Sequence, residues 1–450
     1  MKLERELLNN REEGIKISNL ILLVLAISFF PRIFTALGAP KIIDFFHFPC
    51  VILLYLMALP PSASKELHLL NLGIFFLFIA ILISTLANSA GITNTILDFL
   101  LLSEPFLFFY AMVASKWSQK SIRRFKIALS FLVAIHIAVA YFQWLVLGFK
   151  EDDVTGVFIT MRAGSHIAGA VSMAAGIYAL FAAGHIAKVQ RWVISIALFF
   201  VVVISDSKQV IVAFLTAVPL LVLVEKVNIR FWYKISLGIV GSVASLFLVG
   251  KTVYPALFTY LSLDKLEKGF SQKFSVFPVI GEHIDSLICW FFGLGPGHTI
   301  SRLGWLMTDY ANWLKPLGAT STDITSLILF LNNSNYLSNP KTGSSMFSLM
   351  FSWAGIWGDL GLVGAVVYVC LWFLVMKLFC VTTLDRFFVL SILVFGFVFA
   401  WLEEPNFMLF MVSLIGLSWQ EHMMEMQAEE VDQVSGPICW KCSSAYPPSS

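Results

Sequence analysis

LLNLGIFFLFIAILISTLAN, residues 69–88, runs for twenty residues without one charged side chain. As a helix rising about 1.5 Å per residue it would span roughly 30 Å, the thickness of the hydrocarbon core of a bilayer. The same reading places further spans close to 17–37, 43–60, 95–115, 125–148, 165–186, 190–205, 209–225, 233–250, 355–379, 385–402 and 405–420, about twelve in all. Proline at Pro31, Pro49 and Pro105 interrupts several of them, so kinked or tilted helices are expected there.

Composition points the same way. The chain is 58% hydrophobic and 13% charged, against about 25% charged in soluble domains. Its 42 phenylalanines and 13 tryptophans are more aromatic surface than a soluble core could hide. The expected fold class is therefore all-α, a polytopic transmembrane helical bundle. The net charge of +2 selects no partner, and nothing in the pattern suggests nucleic acid. We find no internal repeat, which argues against transporters built from duplicated halves.

Charge sets the expected orientation. KWSQKSIRRFK (116–126) holds five bases and no acid, and KVQR (188–191), EKVNIRFWYK (225–234) and the Lys377/Arg386 hairpin fall on the same side, which the positive-inside rule makes cytoplasmic. Residues 1–16, with four acids and four bases, read as a cytoplasmic N-terminal segment, and the first apolar run as a retained helix. Residues 17–250 would form helices one to nine and 346–420 helices ten to twelve. The excursion 251–345 would then face outward, folded as short interfacial helices because VYPALFTYLSL, DSLICWFFGLG and DITSLILFLNN alternate with polar residues. The tail 421–450 reads as a flexible cytoplasmic segment; its Cys439-x-x-Cys442 is a weak metal signal, and no metal or cofactor is expected.

Charges at the rim of membrane helices are costly and commonly functional. In TMRAGSHIAG (160–169), Arg162 and the following helix start suit a phosphate, with His166 beside them; the plain alternative is an arginine snorkelling to headgroups. In SDSKQ (205–209), Lys208 sits in a tight hairpin, where it could equally just pair with Asp206. The long loop carries Lys273, Glu282, His283, Asp285, His298 and Arg302 within thirty residues. Its stretch WFFGLGPGHTISRLGW (290–305) could bring backbone N–H groups of Gly293, Gly295 and Gly297 to an anion, or could be only a turn. In WGDLGLVGAVVYV (357–369), Asp359 lies at the outer end of a span, with small residues beyond that allow close helix packing. Glu403 and Glu404 suit pairing with an outer base; Asp98, Glu104 and His136 suit buried hydrogen bonding. No nucleotide-binding or hydrolase fingerprint occurs on the cytoplasmic side.

The order of these clusters resembles the O-antigen ligase and O-antigen/exopolysaccharide polymerase superfamily of bacterial membrane proteins. Arg162-Ala-Gly-Ser-His166 is similar to that family's Arg and G-x-x-H segment, and Ser205-Asp-Ser-Lys208 to its S-x-S-R hairpin with lysine for arginine. Phe292-Gly-Leu-Gly-Pro-Gly297 is similar to its glycine stretch, and Asp359-Leu-Gly-Leu-Val-Gly364 to its E-x-G-L-x-G. The arginine usual upstream of the glycines is absent, with Lys273 nearest, and SSMFSLMFSW (344–353) stands where ligases carry His-Asn. That favours a polymerase over a ligase.

The resemblance implies a metal-independent, GT-C-like glycosyltransferase of the bacterial inner membrane, with both termini cytoplasmic. Its donor and acceptor would be undecaprenyl-pyrophosphate-linked glycans, with membrane lipid and other polysaccharide-assembly proteins as further partners. Arg162, Lys208 and Arg302 or Lys273 would stabilise the departing pyrophosphate. Glu282, His298, His166 and Asp359 are candidates to accept the proton. The competing classes are a ligase-like transfer to a lipid or protein acceptor, a transporter or flippase with charges at mid-depth, and a non-catalytic scaffold.

Overall fold

A computed structural model describes residues 17–60, 64–159, 163–184, 186–225, 263–338 and 348–434, and every regular element among them is helical. The predicted run 233–250 and Arg162 lie outside the described residues, as do Cys439 and Cys442. The helices are α1 (Ile17–Phe29), α2 (Pro31–Ala36), α3 (His47–Ala58), α4 (Lys65–Asn88), α5 (Ile92–Ala114), α6 (Gln119–Leu145), α7 (Gly164–Phe181), α8 (Lys188–Ile204) and α9 (Lys208–Val224). Next come five short helices, α10 (Leu263–Phe274), α11 (Val276–Gly281), α12 (Leu287–Phe292), α13 (Arg302–Asp309) and α14 (Ala311–Leu314), and the longer α15 (Asp323–Ser338). The chain closes with α16 (Ser352–Leu378), α17 (Thr383–Phe395) and α18 (Pro405–Val434).

Among the described residues six helical stretches are long and apolar enough to cross a membrane: Lys41–Ala58, which joins a 3-10 turn to α3, and α4, α5, α6, α7 and α16. α1 and α9 are apolar but shorter. The structure departs from the predicted runs at three places. The run 17–37 breaks before Pro31, which has no N–H to donate to the preceding turn. The run 385–402 is helical only to Phe395, and 396–404 folds as turns. The tail predicted to be flexible from 421 instead continues α18 to Val434. Gln420 donates to the Met112 and Ser115 carbonyls and Glu421 pairs with Lys126, so this helix is anchored where the tail was expected to start.

Burial sorts the helices into an inner and an outer set. Leu101–Val113 of α5 and Pro405–Leu417 of α18 are buried on every face, and α7 is buried from Gly164 to Gly176. A helix apolar all round belongs at the centre of a bundle. Small residues let α7 approach closely: a Cβ on Gly176 would lie 2.5 Å from the Phe199 ring of α8. The outer helices keep large apolar side chains exposed, among them Phe75, Phe76, Phe131, Ile196 and Leu223. On a protein in water such a belt would be an aggregation liability, whereas against acyl chains it costs nothing.

Polar cross-links gather at one end. α16 is broken there at Gly361, with φ 66° and ψ −163°, between two helical halves. A Cβ at Gly361 would sit 2.5 Å from the Phe291 carbonyl carbon, so the loop after α12 lies directly on the break. Gly361→Ala therefore meets both a left-handed backbone and a backbone clash, and is expected to cost more than about 2 kcal/mol. Gly281→Ala, with nothing within 4 Å of the new Cβ, is the neutral control. Thermal unfolding of the two purified variants checks the contrast.

Candidate functional site

The segment Gly293–Ser301 is laid along the first half of α16. Leu294 N–H donates to the Gly358 carbonyl at 2.8 Å and Gly295 N–H to the Asp359 carbonyl at 3.1 Å. The Asp359 carboxylate then accepts from Gly297 N–H (2.8 Å), Thr299 N–H (2.9 Å) and the Thr299 hydroxyl (2.5 Å), and the Ser301 hydroxyl adds a further donor. Of the three glycines expected to face an anion, Gly293 and Gly295 give their N–H groups to the Cys289 and Asp359 backbone carbonyls, and only Gly297 N–H meets a carboxylate, the chain's own Asp359. Glycines at 355, 358 and 361 make this possible. A Cβ at Gly355 would come 2.9 Å from Ser301 Cα, and one at Gly358 2.6 Å from Thr299 Oγ1. The small residues around Asp359 thus admit a loop where helix packing was expected.

His298 is equally committed. Its Nδ1 is 2.9 Å from the Leu294 carbonyl, which fixes that nitrogen as the donor, and its Nε2 is 2.8 Å from Thr320 Oγ1. Asn88 and Asn94, at the end of α4 and the start of α5, donate to the Gly293 and Pro296 carbonyls at 3.0 and 2.7 Å. Nothing in the sequence singled out these asparagines, although uncharged amides at helix ends are natural clamps for loop carbonyls.

One helical turn further, Ser301 caps α13 and Arg302 turns inward to pair with Glu404. Burial, with Arg32 nearby, pulls the guanidinium down to about 10, so it stays charged near neutrality. His47 on α3 lies 2.5 Å from Glu104 of α5, and Arg32 lies 2.7 Å from Asp44. Among these, Arg32, Asp44 and His47 carried no sequence signal, and only Glu104, Glu403 and Glu404 were expected to make buried or paired contacts.

Two other predicted residues, His166 and Lys273, converge on Phe399, in the turn after α17, and Lys208 lies near enough for its charge to act on His166. The His166 ring is 5.0 Å from the Phe399 ring, and Lys273 Nζ lies 5.8 Å from the same ring and 5.4 Å from Phe351. Lys273, 7% exposed, donates to the Val398 carbonyl at 2.7 Å. The charges of Lys208 and Lys273 both act on the His166 imidazole, and Asp152 stands 3.7 Å from its Nε2. Lys208 Nζ is 2.9 Å from Asp206, itself in a left-handed turn at φ 52°. Burial raises the Asp206 carboxyl to about 6 against the pull of Lys208, and burial lowers the Lys273 ammonium to about 7. Ser207 Oγ donates to the Ser165 carbonyl at 2.9 Å, tying the α8–α9 hairpin to the start of α7. Glu282 stands apart, exposed at the end of α11.

An apolar cavity of about 390 Å³ opens beside this cation cluster, lined by Leu220 of α9, Phe277 of α11, Trp353, Trp357 and Val369 of α16, and Phe397. Phe277 stacks on Phe274 at 6.0 Å and meets Phe351 edge-on at 5.7 Å, so the cavity wall and the Lys273 pocket share aromatic rings. Chemically, this combines positive charge held out of water with an apolar slot between helices. Among the described residues no group of three or more His, Cys, Asp or Glu side chains is arranged to hold a metal ion. No known family's sequence profile matches the chain, and no curated protein is significantly similar to it.

Asp359→Asn tests the strut. The amide would turn a hydrogen-bond donor toward a backbone N–H that now donates, which should cost about 2–4 kcal/mol. Hydrogen exchange should accelerate at the amides of Gly297 and Thr299 while the amides of α5 stay protected.

Proposed function

We propose that the chain is a membrane glycosyltransferase that polymerises or transfers polyprenyl-pyrophosphate-linked oligosaccharides, as its resemblance to the O-antigen polymerase and ligase superfamily implies. One observation carries this reading: His166 and Lys273 meet at Phe399 beside an apolar cavity, with the charge of Lys208, from a third segment, acting on His166. A lipid-linked pyrophosphate needs those two environments side by side, cations for the head and an apolar slot for the isoprenoid tail. In this reading the bundle crosses the inner membrane about twelve times with a GT-C-like arrangement. Its base-rich end is cytoplasmic and the end carrying the loop is periplasmic.

The acceptor hydroxyl oxygen attacks the anomeric carbon of the donor. The bond from that carbon to the pyrophosphate oxygen breaks, and its electron pair leaves with the phosphate. Lys208, Lys273 and Arg162 stabilise the charge that grows on the departing group. His166, oriented by Asp152, takes the hydroxyl proton. Asp359 and His298, whose polar atoms are engaged by the loop, position rather than react. Metal plays no part.

Transport of a lipid-linked or small substrate is the second reading, favoured by one feature. Glu104 lies 12 residues into the 23-residue α5, so its pair with His47 sits roughly 18 Å along a helix of roughly 35 Å. An ionisable pair at mid-depth is what a transport pathway would use.

Deleting the gene should abolish long surface glycan chains, and neither Arg162→Ala nor Lys208→Ala should restore them, although both proteins insert normally. Persistence of long chains with Arg162→Ala would remove that residue from the mechanism. Accumulation of lipid-linked units in the cytoplasmic leaflet of the deletion strain would favour transport instead. Undecaprenyl pyrophosphate added to the purified protein should quench the fluorescence of Trp353 and Trp357, and Lys208→Ala should weaken that binding by at least about tenfold. The Lys273 cation is present below about 7 and fades above it, so binding should weaken as pH rises through that value. Lys273→Met should flatten the pH dependence.

A further inference from the structure

The charges around the turn 401–405 do not balance. Asp98 of α5 and Glu403 and Glu404 at the entrance to α18 are 2%, 2% and 5% exposed. The Arg302 guanidinium pairs with Glu404. Both oxygens of Glu403 and Oδ2 of Asp98 have no hydrogen-bond partner among the described residues.

The groups that face Glu403 come from every element packed on it. Asp98 comes from α5, Asp359 and Tyr368 from α16, Arg302 and the amides of Arg302 and Leu303 from α13, and Glu404 is its chain neighbour. The Arg302 and Leu303 amides, at the start of α13, point at the carboxylate and ease its charge, but neither reaches full hydrogen-bond geometry. The Tyr368 hydroxyl gives its hydrogen to the Leu402 carbonyl at 3.2 Å, and Asp359 is an acceptor already filled by the loop. Further out, Asp44 is matched with Arg32, and Glu104 lies against the His47 imidazole. The surplus negative charge therefore falls on Glu403 and Asp98. An ionised carboxylate with no counter-charge of its own and no well-formed hydrogen bond is among the costliest groups a dehydrated interior can hold. A proton removes the charge and turns an acceptor-only group into one that can also donate.

We propose that Glu403, set against Asp98 and beside the Arg302–Glu404 pair, is a proton-binding site whose carboxyl is neutral at neutral pH. The ligand is one proton, and the site is independent of the glycan chemistry proposed above. Losing that proton would place a second negative charge next to Arg302, in competition with Glu404 for the guanidinium. Because Arg302 opens α13 directly after the loop held by Asp359, proton occupancy is coupled to the seating of that loop.

The direction of the effect comes from burial and from Asp359, which raise the Glu403 carboxyl from 4.5 to about 8 although Arg302 pulls it back. Its contribution to stability is complete below the unfolded value and is lost as pH rises through the folded one. Infrared difference spectra of the full chain in lipid nanodiscs test the site. The neutral-pH spectrum of the wild type should contain the carbonyl stretch of a protonated carboxylic acid. Isotope-labelled glutamate should move that band, and raising the pH through about 8 should abolish it. Glu403→Gln should lack the glutamate-sensitive band. A wild type without the band at neutral pH, or a band unmoved by glutamate labelling, overturns the proposal. So does a midpoint that varies with sodium concentration at fixed pH, which would make the ligand a metal cation.

Discussion

The Asp359 carboxylate organises one whole end of this molecule. It accepts from Gly297, from both donors of Thr299 and from Ser301, so the chain between α12 and α13 is fixed against α16 along its length. That fixing sets the geometry of the neighbouring elements. Ser301, held by the carboxylate, caps α13; α13 begins with Arg302; and Arg302 reaches Glu404 at the entrance to α18. The turn 396–404 is held in place from that side, while Ser352 N–H and Oγ bond the Phe399 carbonyl from the other. Phe399 then faces His166 and Lys273. A single buried acid thus links the loop to the cation cluster through covalent neighbours and short polar contacts.

The break at Gly361 belongs to the same arrangement. A straight α16 would keep the Gly358 and Asp359 carbonyls bonded within the helix. The break leaves them to Leu294 N–H and Gly295 N–H, and the Ser84 hydroxyl of α4 adds a bond of 2.6 Å to the Asp359 carbonyl. The backbone groups freed by the break are satisfied by a loop and a neighbouring helix, which is the condition for interrupting a helix at membrane depth.

The helices were legible because their signal is local: an apolar run such as 69–88 forms a helix whatever surrounds it. The errors arose where an apolar run conceals a turn. VFGFVFAW (394–401) is as hydrophobic as a span, yet its backbone is spent on Ser352, Trp353 and Lys273, contacts made by residues distant in sequence. In the opposite direction, QEHMMEMQAEE (420–430) is too polar for a membrane but rich in strong helix formers, so α18 continues through it. For the site, composition named the rim charges but not their grouping. His166 and Lys273 are brought together by Phe399, which looks like one more membrane phenylalanine. The glycines at 293, 295 and 297 were expected to turn their N–H groups to an anion; the fold gives two of them to backbone carbonyls and only Gly297 to a carboxylate, that of Asp359, 62 residues further on.

The depth at which Lys273 is held bears on what the cluster can do. An exposed lysine would meet an incoming phosphate through water and salt, and most of their attraction would be screened. Lys273 has already shed that water. A carbonyl at 2.7 Å and two aromatic faces within 6 Å replace it, and they offset only part of the desolvation, which is why the ammonium falls to about 7. A cation whose lost hydration is only partly replaced keeps most of its Coulomb energy in reserve for an anion that arrives beside it. Lys208, paired with Asp206 and a quarter exposed, lacks that reserve. The two lysines are therefore unequal: in the proposed reaction Lys208 would supply steady charge, whereas Lys273 would respond most to a phosphate that has shed its own water.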